Sequence, residues 1–234
     1  MARDRSRTVS RRGDDGTREV MRRLGVLGGT FDPIHYGHLD AAEAAREAVS
    51  LDEVLFLPAH DQPLRTHDPH ASGFHRFAMA ALAIAGSRGY RVSDMELVRE
   101  GTSYTIDTLR DLHAEGWDAS QLFFILGTDA FAEIANWRGY PAVVEAARFV
   151  VIARPGTTLD AALARAPELR TRVSLVEAHT RDVSSTAIRG RLSAQQSIDD
   201  LVPAAVARHI LAHHLYGAVD HLHGEDERIG HQNH

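Results

Sequence analysis

A doubly wound α/β sheet, mostly parallel and covered by helices on both faces, is the fold class this sequence predicts. Three observations point to it. Short apolar runs alternate with stretches of helical periodicity along most of the chain, no internal repeat interrupts them, and 234 residues suit one large domain with tails better than two of about 150. At 44% hydrophobic and 25% charged residues, the chain has enough apolar surface for one sizeable core, which excludes a wholly disordered protein.

The first apolar run, Leu24 to Gly28, enters a turn containing glycine and proline, and helical spacing follows from Leu39 to Val49. Val54 to Leu57 is a second strand, stopped by Pro58 and a polar loop. His75 to Ala85 has helical spacing, Arg91 to Leu97 reads as extended, and Thr105 to Glu115 as helix. Gln121 to Leu126 is the plainest buried strand. Phe149 to Ala153 and Val173 to Glu177 add two more, with helices expected over Thr158 to Arg165, Ser185 to Leu192 and Pro203 to Leu215. A Rossmann-like sheet of this kind binds ligands beyond the carboxyl ends of its strands, so the polar residues there carry the function.

Charge and missing residue types remove whole classes of chemistry. There is no cysteine, so disulfides, thiolate metal sites and cysteine nucleophiles are absent. All 26 basic side chains are arginine, which removes Walker-type phosphate loops, Schiff-base catalysis and the kinase strand lysine. Arginine's planar fork remains for phosphate and carboxylate recognition. Residues 1–23 hold eight arginines against four acids and read as a solvated basic tail. The rest is strongly acidic, which argues against a body that binds specific nucleic acid. Residues 218–234 read as a polar, histidine-rich tail, leaving 24–217 as the domain. Neither an apolar membrane span nor a secretory leader is visible, so the expected address is the cytoplasm. Nothing in the composition selects between a monomer and a homo-oligomer.

The most informative stretch joins the first strand to the first helix: Gly28-Gly-Thr-Phe-Asp-Pro-Ile-His-Tyr-Gly-His38. Its glycines permit close backbone approach, the helix opening favours an anion, and Thr30 adds a hydroxyl. His35 and His38, three apart, can face one phosphate together. Singly these residues have plain explanations as turn formers or packed side chains, but together, between a buried strand and a helix, they make a lysine-free phosphate cradle. The order G-x-G-x-x-G is not met. A zinc site on Asp32, His35 and His38 is the competing idea, and it lacks an arrangement for a second shell of hydrogen bonds. Val183-Ser-Ser-Thr-Ala-Ile-Arg189 places small hydroxyls before a helix, so amides, Ser185, Thr186 and Arg189 can converge on an anion. Asp129 in Gly127-Thr-Asp129 can accept from a ribose or cap a helix.

GGTFDPIHYGHL closely resembles the T/H-x-G-H signature of the nucleotidyltransferase superfamily, and within it the bacterial nicotinate mononucleotide adenylyltransferases. Ser103-Tyr-Thr-Ile-Asp-Thr-Leu109, Gly127-Thr-Asp-Ala130 with Asn136-Trp137, and the Val183 to Arg189 segment resemble that family in the right order. The resemblance spans about Leu24 to Gly217. It implies that ATP lies over Gly28, Gly29, Thr30, Phe31, His35 and His38, with Gly127 and Asp129 in the nucleotide region and Ser185, Thr186 and Arg189 closing on the phosphates. For the acceptor it implies Trp137 against the pyridine ring and Tyr104 and Thr105 near its carboxylate, with Arg154 as a phosphate-side arginine. The loop after the second strand departs from the family's Pro-Pro-His-Lys pattern, and Arg65 is the residue available to replace the lysine.

The reaction implied is adenylyl transfer from ATP to nicotinate mononucleotide, giving nicotinate adenine dinucleotide and pyrophosphate. The acceptor phosphate is already ionised near neutral pH, so alignment and charge stabilisation suffice. His38 leads in that role, His35 and Arg189 assist, and Mg²⁺ is expected to arrive with ATP rather than in a dedicated protein site. The alternatives are a relative using nicotinamide mononucleotide or phosphopantetheine, a synthetase fragment, and a catalytically silent nucleotide-binding module.

Overall fold

The computed structural model describes residues 21–61 and 68–219. In chain order the regular elements are β1 (Leu24–Gly29), α1 (Tyr36–Ala48), β2 (Glu53–Pro58), α2 (Gly73–Ile84), β3 (Tyr90–Val92), α3 (Thr105–Ala114) and β4 (Leu122–Gly127). They continue with α4 (Thr128–Ala132), α5 (Ala142–Ala146), β5 (Arg148–Ala153), α6 (Asp160–Arg165), β6 (Val173–Glu177), α7 (Ser185–Ser193) and α8 (Ala204–Ala212). The six strands form one sheet in the order β3-β2-β1-β4-β5-β6, every pairing parallel. The order reverses between β1 and β4, which fixes where a ligand crevice opens.

Strand periodicity sorts the core into two layers. Val54 and Phe56 of β2, Phe123 and Ile125 of β4 and Val150 of β5 face one cluster with α1, α2, α7 and α8. Leu55 and Leu57, Leu122 and Phe124, and Phe149 and Val151 face the other, against α3, α4 and α5. At Gly25 an added Cβ would stand 2.6 Å from the end of the Leu51 side chain, so a larger residue there would have to displace that buried side chain.

Several boundaries differ from expectation for identifiable reasons. Of the expected Arg91 to Leu97 strand only Arg91 and Val92 pair, within Tyr90–Val92, because the amides of Leu97 and Val98 turn back to the carbonyl of Asp94. The last helix stops at Ala212, and His214 takes a left-handed conformation with φ 49°. The two short helices α4 and α5 were not expected. Arg23 donates its amide to Asp52 at 2.7 Å and its guanidinium to the carbonyl of Val49 at 2.8 Å, and Ala218 is buried. The rest of both expected tails, residues 1–20 and 220–234, and Arg65 lie outside the described residues. Among the described residues no helix is long and apolar enough to cross a membrane.

Candidate active site

The loop from β1 to α1 is braced from beneath. Gly28 and Gly29 end the strand and line a cavity of about 930 Å³. A Cβ on Gly28 would meet only Phe124 at 3.7 Å, so the missing side chain serves the cavity rather than the packing. Phe31 adopts φ 50° and turns its ring into the core, where it is 2% exposed.

Asp32 is the hub of this loop. Its carboxylate, 1% exposed, accepts from the amides of His70 and Ala71 at 2.8 and 3.0 Å and from the Tyr216 hydroxyl at 2.8 Å. Burial alone would raise its pKa, but these hydrogen bonds and the charge of Arg189 hold it below the ordinary carboxylate value. Arg76 of α2, also buried, donates to the carbonyls of Thr30 at 2.8 Å and Ala59 at 2.6 Å. From sequence Asp32 stands out only as a turn residue or a member of the rival zinc set, and Arg76 not at all. Their partners lie up to 184 positions away, beyond the reach of any local pattern.

The two histidines are brought together but take different positions. His35 is the N-cap of α1 and is buried. Its ring stacks on that of His38 at 3.7 Å between centroids, and His38 lines the cavity. Burial lowers the His35 pKa to about 4 against a small opposing pull from Asp40. Burial, then the neighbouring His35, pushes His38 well below the ordinary imidazole value, so both rings are neutral at pH 7. His38 Nδ1 accepts from the His35 amide at 3.2 Å. A neutral ring accepting at Nδ1 carries its proton at Nε2, which makes Nε2–H the available donor. Of the first α1 amides, Tyr36 donates to Leu201 and His38 to His35, leaving Gly37, which lines the cavity.

Helix α7 docks on the same loop. Its N-cap Ser184 accepts from the Ala187 amide at 3.1 Å. Ser185 donates its hydroxyl to the Pro33 carbonyl at 2.9 Å, and Arg189 donates to the Asp32 carbonyl at 2.7 Å and to the Thr186 hydroxyl at 3.2 Å. His38 and Arg189 thus belong to one assembly. Ser185 and Arg189 spend these bonds on the loop, and among the expected residues Thr30, Phe31, His35, Ser185, Thr186 and Arg189 stand outside the cavity lining.

The cavity wall completes across the β1–β4 switch. Gly127 and Asp129 line it after β4. The N-cap of α4 is Gly127, so Asp129 is not engaged as a cap and stands exposed on the wall. Tyr104 and Thr105 line the opposite side at the start of α3, where the first amides lack intrahelical acceptors. Trp137 also lines the cavity, held edge-on by Phe124 at 5.9 Å. Beside it Arg138 lies over the Tyr104 ring at 4.4 Å, a cation that sequence reading missed although it adjoins Trp137. Arg154 reaches the rim, paired with Asp182 at 2.7 Å.

The cavity's carboxylates do not make a metal cage. Glu96 is buried, bonded to the Thr108 hydroxyl at 2.6 Å and raised in pKa by burial, which leaves Asp129 and Glu133 on the wall. Among the described residues, the one group of three ligands within reach of a shared ion is His75, His209 and His213, none of which lines this cavity.

The cytidylyltransferase-like family model matches residues 26–191. A probable nicotinate-nucleotide adenylyltransferase of Roseiflexus sp. (strain RS-1) is 46% identical over 195 residues, 82% of this chain and 97% of the relative. Another from Leifsonia xyli subsp. xyli is 42% identical over 202 residues, 84% of this chain and 95% of the relative. The solved Plasmodium falciparum nicotinic acid mononucleotide adenylyltransferase complexed with NaAD superposes with a TM-score of 0.67 at 19% identity, covering 85% of this chain and 98% of that one, a likeness of fold. The chain belongs to the cytidylyltransferase-like family, among the relatives named nicotinate-nucleotide adenylyltransferases.

Proposed function

We infer that the chain transfers the adenylyl group of ATP to nicotinate mononucleotide, releasing pyrophosphate. The observation that carries this reading is that one cavity is lined both by Gly28, Gly29 and His38 and by Tyr104, Thr105 and Trp137. A cavity so lined has room for two substrates side by side. An oxygen of the acceptor's 5′-phosphate attacks the α-phosphorus, and the bond from that phosphorus to the bridging oxygen breaks, with the electron pair leaving on pyrophosphate.

His38 Nε2–H donates to the phosphate oxygens as negative charge develops, supported by the Gly37 amide and the α1 dipole. His35, behind His38, fixes the ring's tautomer through its backbone amide and acts as a positioning residue, and Ser185 and Arg189 hold the loop to α7. Gly127 and Asp129 receive the ribose side. Trp137 stacks on the pyridine ring, while the α3 amides at Tyr104 and Thr105 and the charge of Arg138 favour a carboxylate over a neutral amide. Arg154 and Arg65 are assigned to the acceptor phosphate. Mg²⁺ entering on ATP would supply neutralisation of the leaving pyrophosphate. The cytoplasm is the assigned compartment, to be checked by fractionation.

The test is pyrophosphate release from ATP and Mg²⁺ with nicotinate or nicotinamide mononucleotide. Release with a higher kcat/KM for nicotinate mononucleotide is expected. Nucleotide binding without release would replace this reading with that of a silent module, and preference for the amide would remove the acceptor assignment.

A further inference from the structure

Three histidines meet away from the cavity. His75 stands in the first turn of α2, after N-cap Ser72, and His209 and His213 lie four apart at the end of α8, where the His213 amide still bonds to the His209 carbonyl at 3.2 Å. Spacing of four puts both rings on one helical face. His75 Nδ1 is 3.1 Å from His209 Nε2, and one ligand nitrogen from each of the three lies within 4.8 Å of the others. Two nitrogens on one tetrahedral zinc, each about 2.0–2.1 Å from the ion, stand about 3.3 Å apart. The first pair already has that separation, and His213 is exposed, which provides entry and room for the third ring to swing in.

We propose that His75, His209 and His213 form a binding site for a zinc-class divalent cation that clasps α2 to α8. Three neutral imidazoles and one water complete four-coordination, and the proton shared between His75 and His209 moves to the far nitrogen of its ring. The negative end of the α8 dipole adds to the attraction. His75 precedes Arg76, the residue that braces the Thr30 and Ala59 carbonyls. The clasp therefore steadies the turn of α2 that supports the β1–α1 loop.

The test uses the full chain with His221, His223, His231 and His234 replaced by Asn, which removes the C-terminal histidines as competing ligands. Titration with Zn²⁺ against a chelating indicator is expected to give one ion per chain and to raise Tm by about 5 °C at a hundredfold excess over the dissociation constant. Co²⁺ in its place should give the intense visible absorption of a four-coordinate site. His209→Ala and, separately, the exposed His213→Ala should weaken binding at least tenfold while the metal-free Tm stays near that of the parent; His213→Ala decides the matter where His209→Ala fails to fold. Saturable binding that both substitutions leave unchanged, or loss of all binding with the four C-terminal replacements alone, overturns the proposal.

Discussion

On the β1 side of the cavity, the buried Arg76 of α2, the half-buried Arg189 of α7 and the Tyr216 hydroxyl converge on one loop, so that with the buried Asp32 they lock the backbone around Gly28 to His38. At the α4 end the cavity is walled by Trp137, Arg138 and Tyr104, held chiefly by ring contacts. The first arrangement suits a transferring phosphate, where stabilisation depends on donors placed in advance. The second suits a flat ring, for which stacking tolerates small displacements. Substitutions in the braced half should therefore strike turnover and stability, and those in the aromatic half should strike acceptor affinity.

The largest expected effect sharpens the first half of that contrast. His38→Ala should lower kcat by about 2–4 kcal/mol of barrier, as for other lost transition-state donors, with a much smaller change in the KM for ATP. Steady-state kinetics at saturating acceptor would show it, and an unchanged kcat would remove His38 from the role.

Next comes the response to acid. Folded His35 has a pKa of about 4 against an ordinary 6.5, so the unfolded chain takes up the proton first. Its contribution is fully present above pH 6.5, and about 3 kcal/mol is lost as pH falls from 6.5 to 4. His35→Asn should flatten the pH dependence of denaturant unfolding across that window, and equal slopes for both proteins would contradict the assigned burial.

Asp32→Asn removes the charge that the His70 and Ala71 amides and Tyr216 were built around. A loss of about 2 kcal/mol is expected, or roughly 4–8 °C in Tm. An unchanged Tm would show that the loop is not held by this hub. The smallest effect belongs to the aromatic half: Trp137→Ala should raise the acceptor KM about fivefold, the equivalent of one lost stacking contact of about 1 kcal/mol, and leave the KM for ATP alone. A selective effect on ATP would reverse the assignment of the two halves.

The same contrast explains what could be read from the sequence. The glycines, His38 and Asp129 stood out because local pattern places them just beyond strands or at helix starts, where function concentrates in a parallel sheet, whereas Tyr104, Thr105 and Trp137 were singled out by the family resemblance alone. The braces did not. Arg76 sits inside an ordinary amphipathic helix and Tyr216 follows the last one, so their roles exist only once distant segments meet. Nor does the loop sequence announce that the Phe31 ring fills the core. Helices α4 and α5, with five residues each, are too short to show a period.

The central claim is that both substrates occupy the cavity together and react directly, with no protein nucleophile between them. ATP made chiral at the α-phosphorus by sulfur substitution tests it most directly. Inversion of configuration in the dinucleotide product is predicted, as one in-line displacement requires. Retention would mean two displacements through an adenylylated side chain and would contradict the account.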